Sequence, residues 1–228
     1  MFGTADEAER RGYIACLRCY PNSLAPAERS VQVVLDYVER NLDRLITLNT
    51  LSNVASLSPH HLQHVFKRIV GVSPKTYCDA RRLAGFKERL RDGQSIASAC
   101  YEAGYGSSRA LYQGARKTMG MTPSAYRRGG KGVRIWYAIT KRSGDTVLIA
   151  RTELGLSAVL SSGEENVLVG ELKREFPLAD FTRESSSRWK SAVRSCEMED
   201  PLLSKLPLKL QRRIMQAKLW DAITTRIF

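Results

Sequence analysis

The chain repeats itself once, and that repeat limits its fold more than any other feature. Gly71-Val72-Ser73-Pro74-Lys75-Thr76-Tyr77 returns as Gly120-Met121-Thr122-Pro123-Ser124-Ala125-Tyr126, 49 residues later. Ser58 and Leu62 return as Ser107 and Leu111 at the same offset. Both copies carry helix-start punctuation. A Ser or Thr before Pro is an N-cap followed by a first-turn proline: the hydroxyl accepts from a free N–H, and the proline has no N–H to leave unpaired. Two copies are too few for a solenoid, which needs at least three units to bury a continuous core. They predict a pseudo-symmetric pair of helical units joined by one long helix.

Hydrophobic spacing fills in the units. Val31, Val34, Leu35, Val38 and Leu42 share one face of a helix from about Ser30. Leu48, Leu51 and Val54 mark a second helix from near Thr47, and Leu62, Val65, Phe66 and Ile69 a third that opens at Ser58 and ends at Gly71. A long helix follows from Ser73 to about Arg91. In the second copy a helix opens at Ser95, turns at Gly104 and is followed by another from Ser107. A short helix, a tight turn and a second helix make a helix-turn-helix, whose second helix fits the major groove with its first turns at the base edges. The outward residues there are Ser58, His60, His61, Gln63, His64, Lys67 and Arg68 in the first unit. In the second they are Ser107, Ser108, Arg109, Tyr112, Gln113, Arg116 and Lys117. These are the candidate DNA-binding residues.

Charge supports the same partner. The chain has a formal charge of +13, and residues 29–131 carry 17 Lys/Arg against 7 Asp/Glu, or +10. Basic side chains that neutralise phosphates release condensed counterions, which favours a polyanion. No apolar run is long enough to span a membrane, and the opening residues, with Asp6, Glu7 and Glu9, do not form a signal peptide. A cytoplasmic protein without membrane contact is expected.

From Arg134 the period changes. Ile135, Tyr137 and Ile139 alternate as in a strand, Ser143-Gly144-Asp145 reads as a turn, and further strands are expected from Val147 and from Leu156. Glu164 opens a helix that Pro177 stops. Residues 134–184 thus read as a small α+β unit. Residues 185–228 are less regular, with one helix from about Leu208 to Ile223. Residues 1–25 open with the capping-box pair Thr4 and Glu7, and Pro21 and Pro26 mark a linker.

The five cysteines are Cys16, Cys19, Cys78, Cys100 and Cys196. An odd count argues against a disulfide framework. Only Cys16 and Cys19 have ligand-like spacing, and two thiolates do not complete a tetrahedral zinc site. Cys196 stands beside Arg194, but no histidine occurs after His64 to serve as its base.

The motifs resemble a known family. Ser58-Pro59-x-x-Leu62, Phe66-Lys67 and Gly71-x-Ser73-Pro74, with Ala103-Gly104-Tyr105 and Gly120-x-Thr122-Pro123-x-x-Tyr126-Arg127, resemble the AraC/XylS-type DNA-binding domain. That resemblance implies an all-α, homeodomain-like tandem helix-turn-helix over residues 29–131. It also implies that the helices from Ser58 and Ser107 are the recognition helices. Within that family the sequence is similar to the Ada-type adaptive-response regulators. Phe2-Gly3-Thr4-Ala5-Asp6-Glu7 running into Cys16-Leu17-Arg18-Cys19 resembles the end of their zinc domain. Val147-Leu148-Ile149-Ala150-x-Thr152-x-x-Gly155 and Phe176-Pro177 resemble the first half of their alkyltransferase domain, which implies an incomplete ribonuclease-H-like α+β unit. Residues 185–228 are a divergent tail on this reading.

The sequence departs from the pattern in places. His64 and Gln113 stand where Arg is usual, Ala115 where an aromatic is usual, and Ser56 where a turn Gly is usual. The acceptor segment Pro-Cys-His-Arg is absent, and only half of the four-cysteine zinc set is present. The expected function is therefore a sequence-specific transcription regulator with double-stranded DNA and RNA polymerase as partners. No catalytic residue is assigned, and no cofactor beyond zinc at Cys16 and Cys19 comes into question. The alternatives are a methylated-DNA–protein-cysteine methyltransferase of DNA repair, or a non-functional fragment of one.

Overall fold

The computed structural model describes residues 11–13, 25–105, 119–142, 145–187, 189–190, 193 and 206–227. Local signals place most helix starts. Helix α1 (Pro26–Arg40) begins with Pro26 at its first turn, four residues before the expected start. Proline there gives up no bond, so the residue expected to mark a linker is a helix opener. Thr47, Ser58, Ser73, Ser95 and Thr122 each accept a backbone N–H three residues on, at 3.1–3.3 Å. They cap α2 (Leu48–Ala55), α3 (Pro59–Val70), α4 (Pro74–Arg91), α5 (Ile96–Glu102) and α6 (Pro123–Arg127).

A four-stranded sheet comes next, in the order β3-β2-β1-β4. Strands β1 (Arg134–Arg142), β2 (Asp145–Thr152) and β3 (Gly155–Ser162) form an antiparallel meander, with Ile139 opposite Leu148 and Ile149 opposite Val159. Helix α7 (Glu165–Glu175) crosses over and returns the chain in β4 (Asp180–Arg183), parallel to β1. Sequence pattern does not predict β4: only four residues long, with no fully buried side chain, it shows no apolar alternation. Helix α8 (Leu208–Ile227) runs four residues past its expected end.

The sheet is buried on both faces, which explains why β2 reads as a near-continuous apolar run. Leu148 and Ala150 face Leu168, Leu172 and Phe176. Val147 and Ile149 face Trp189, Val193 and α8. Helix α8 is also apolar on two flanks. Leu210, Ile214 and Ala217 enter the core formed by Val31, Leu35, Leu62, Phe66 and Tyr77. Met215, Leu219 and Ile223 pack on the sheet. A helix covered on two sides needs no single apolar stripe. The tail thus joins the helical and α+β regions by contributing to a core on each side.

Shared burial should make the two regions unfold together. Ile214→Ala, on the helical-core flank of α8, is expected to cost about 2–5 kcal/mol. Fluorescence of Trp136, Trp189 and Trp220, all outside α1–α6, should report that loss at the same urea midpoint as helix circular dichroism. Separate midpoints would contradict the shared core.

Candidate nucleic-acid interface

Helices α2 and α3 meet through a turn at Ser56, which takes the left-handed conformation with φ 53° and ψ 39°. It is the only non-glycine with positive φ among the described residues. This is the position where glycine was expected from the resemblance. Serine tolerates it at a cost of about 1 kcal/mol.

Helix α3 divides sharply by burial. Leu62, Val65, Phe66, Ile69 and Val70 are buried, each 5% exposed or less. Ser58, His60, His61, Gln63, His64, Lys67 and Arg68 are all exposed. The seven expected residues of the first unit therefore lie on one accessible helix surface. His60 and His64, one turn apart, have ring centroids 4.6 Å apart at 53°. Lys67 and Arg68 occupy the last turn, where cations are favoured by the helix dipole. The seven candidates of the second unit, Ser107, Ser108, Arg109, Tyr112, Gln113, Arg116 and Lys117, lie outside the described residues. So do Cys16, Cys19 and Cys196. Cys78 and Cys100 are buried free thiols, and burial pushes the Cys78 thiol up to about 11, which makes it a poor nucleophile. Among the described residues no cluster of three His, Cys, Asp or Glu side chains could hold a metal.

What fixes α3 is only partly visible in sequence. Gly71 closes the helix at φ 84°, and a Cβ there would overlap the side chain of Lys218 on α8. Tyr77, from the repeated segment, is fully buried, and its hydroxyl donates to Glu39 Oε1 at 2.8 Å. Arg81 donates to both oxygens of Glu39, at 2.7 and 3.1 Å, and Arg213 of α8 donates to Oε2. Burial acts to raise the Glu39 pKa, but the hydrogen bonds and charge of Arg81, with Tyr77 and Arg213, outweigh it and hold the carboxyl below its usual range. Burial and then Glu39 push the Tyr77 hydroxyl well above its ordinary value, so it remains a donor. Arg82 donates to Arg44 O at 2.7 Å and ties α4 to the loop before α2.

The second copy repeats the device with different partners. Tyr126 donates to Glu175 Oε1 at 2.8 Å, and Lys87 pairs with the same carboxylate at 3.3 Å. Lys87 also donates to Ser157 O at 2.7 Å and lies over the Tyr126 ring. Each repeat thus ends in a buried tyrosine bonded to a glutamate that a cation neutralises. The pair of tyrosines is the available sequence signal, because a buried phenol needs a partner. The partners lie 38 and 49 residues away and have no local signature.

Comparison with known proteins fits this geometry. The helix-turn-helix domain family matches residues 51–129. The regulatory protein Ada of Salmonella typhimurium is 32% identical over 98% of this chain and 64% of its own length. The bifunctional transcriptional activator/DNA repair enzyme Ada of Escherichia coli is 29% identical over 99% of this chain and 64% of its own. The chain is similar along nearly its whole length to these Ada proteins. The bifunctional transcriptional activator/DNA repair enzyme AdaA of Bacillus subtilis is 26% identical over 58% of this chain and 63% of its own length. The chain spans slightly less than two thirds of these Ada relatives. No solved structure matches it significantly.

Two measurements check this framework. Ser56→Gly should stabilise the fold by about 0.5–1 kcal/mol without changing the denaturant slope, because only turn strain is relieved. Glu39→Gln should cost about 3–5 kcal/mol at neutral pH, because two part-buried arginines lose their carboxylate. The folded pKa of Glu39 is depressed. Its contribution is therefore complete above the unfolded carboxylate range, about 4.3, and is lost as pH falls through the folded value. Urea unfolding across that window should show a smaller acid loss in Glu39→Gln than in the wild type; equal loss would contradict the assignment.

Proposed function

We propose that the chain is a sequence-specific, double-stranded-DNA-binding transcription regulator of AraC/XylS type, descended from an Ada-like protein. The observation that carries this is the first helix-turn-helix. Its second helix buries every large apolar residue and leaves three histidines, a glutamine, a lysine and an arginine accessible together. His60, His61, Gln63 and His64 lie in its first turns, where base edges are read, and Lys67 and Arg68 reach phosphate. Ser107, Ser108, Arg109, Tyr112, Gln113, Arg116 and Lys117 play the same parts in the second unit, one helical turn further along the duplex. RNA polymerase is the further partner if the chain acts as an activator, and the cytoplasm is the compartment. Among the described residues no helix is long and apolar enough to cross a membrane.

The reading divides the chain into a zinc-domain remnant at 1–25, the DNA-binding region at 29–131, an alkyltransferase-like half at 134–184 and a tail at 185–228. The antiparallel β3-β2-β1 meander with β4 parallel to β1 supports a ribonuclease-H-like origin for the third part. Two of the Ada relatives are named as DNA repair enzymes as well as transcriptional activators. This sequence contains no Pro-Cys-His-Arg acceptor segment. Cys16 and Cys19 alone supply half of a tetrahedral zinc set.

Duplex binding should weaken steeply with salt, with a slope of about −0.9 per neutralised phosphate. Fluorescence anisotropy with the full chain reads this directly. Gln63→Ala with His64→Ala should reduce the ratio of specific to random-sequence affinity, since each base-edge interaction removed is worth about 1–3 kcal/mol. An unchanged ratio would remove these residues from base reading. Incubation with DNA carrying labelled methyl groups on guanine O6 and on phosphate should leave the protein unlabelled; stoichiometric label would favour the repair reading.

A further inference from the structure

We propose that the DNA-binding surface continues past the helix-turn-helix units onto the loop between α6 and β1, where Arg127, Arg128 and Lys131 grip the phosphate backbone. This rests on the DNA-binding reading above and adds a site to it. Residues 103–144 contain nine Lys/Arg and no Asp or Glu. Within the described part of that stretch, Arg127, Arg128, Lys131 and Arg134 are all exposed within eight residues. Among the described residues none of the four forms an ion pair. Several cations elsewhere are paired with carboxylates. Arg81 and Arg213 share Glu39, Lys87 holds Glu175, Arg89 holds Glu102, Arg151 holds Glu184 and Arg183 holds Glu165. A group of like charges with no internal partner repels itself and is stabilised by an external polyanion.

The loop holds the backbone that carries these cations in place. Gly129 N–H donates to Tyr126 O and Gly130 N–H to Ala125 O, both at 2.9 Å, closing α6. Val133 N–H then donates to Gly130 O at 2.9 Å, and Leu178 N–H donates to Gly129 O at 2.8 Å. Gly130 has φ 77°, and a Cβ there would stand 2.9 Å from the Ala179 Cβ, so the backbone is pressed against the α+β region. Tyr126, immediately before the cluster, is anchored to Glu175. The backbone is therefore ordered before DNA arrives, and only side-chain freedom is lost on binding. The cluster follows the second helix-turn-helix unit in sequence, and its loop rests against the start of the α+β region through the Leu178 N–H to Gly129 O bond. The loop thereby extends the footprint without reading bases.

The test is the salt dependence of the full chain on a random-sequence duplex. The triple variant Arg127→Gln/Arg128→Gln/Lys131→Gln should show a slope shallower by roughly 0.9 for each phosphate no longer neutralised. Its preference among sequences should be unchanged. The matched control is Lys173→Gln/Arg174→Gln, which removes exposed charge from α7 and should leave the slope at the wild-type value. Because the changes are on exposed side chains, melting should match the wild type; the single variants Arg128→Gln and Lys131→Gln, read the same way, keep the test valid if the triple variant melts early. A triple-variant slope equal to wild type overturns the proposal. An equal change per charge in the α7 control also overturns it, since it would show a general charge effect. Absence of wild-type binding would instead overturn the DNA-binding reading itself, and this site with it.

Discussion

Helix α8 is the element on which the rest of the structure depends. It inserts Leu210, Ile214 and Ala217 among the helices of the first unit and sets Met215, Leu219 and Ile223 against the sheet. Arg213 on the same helix completes the cage around Glu39. One helix thus closes two hydrophobic interiors and neutralises the carboxylate between α1 and α4. Its Lys218 lies against Gly71, at the end of the helix assigned to base reading. The exposed surface of α3 is consequently supported from outside the residues that carry its motif.

The two glutamate cages explain how a duplicated unit can serve two different surroundings. Tyr77 and Tyr126 are repeat equivalents, and both donate to a carboxylate at 2.8 Å. In the first copy the carboxylate comes from α1, and its cations from α4 and α8. In the second it comes from α7, and its cation from α4. Helix α4 therefore supplies a cation to both cages, Arg81 at one and Lys87 six residues later at the other. The long helix between the units is held at both cages by buried charge. Such pairs contribute less to net stability than to selecting one arrangement, because desolvation offsets much of their attraction.

Local chemistry is legible in the sequence and long-range chemistry is not. The caps at Thr47, Ser58, Ser73, Ser95 and Thr122 follow from hydroxyl residues at helix starts, and α3's inward residues follow from helical spacing. Ser56 stands in place of a turn glycine, and the backbone there is left-handed. The cage around Glu39 joins residues up to 174 positions apart, which no local pattern encodes. Strand β4 leaves no signal because it is short and exposed, and the two-sided burial of α8 blurs the stripe by which a helix face is recognised. Pro26 resembles a break because proline punctuates linkers and helix starts alike. The exposed surface of α3 is thus readable from sequence, whereas the supports behind it require the fold.

The central claim is that two helices of one chain read successive stretches of duplex. Selection of bound sequences from a pool of randomised duplexes, using the full chain, tests it most directly. The account predicts two enriched blocks whose centres lie about one helical turn, 10–10.5 base pairs, apart. A pool that shows no enrichment, or a single block with no second at that spacing, would contradict it.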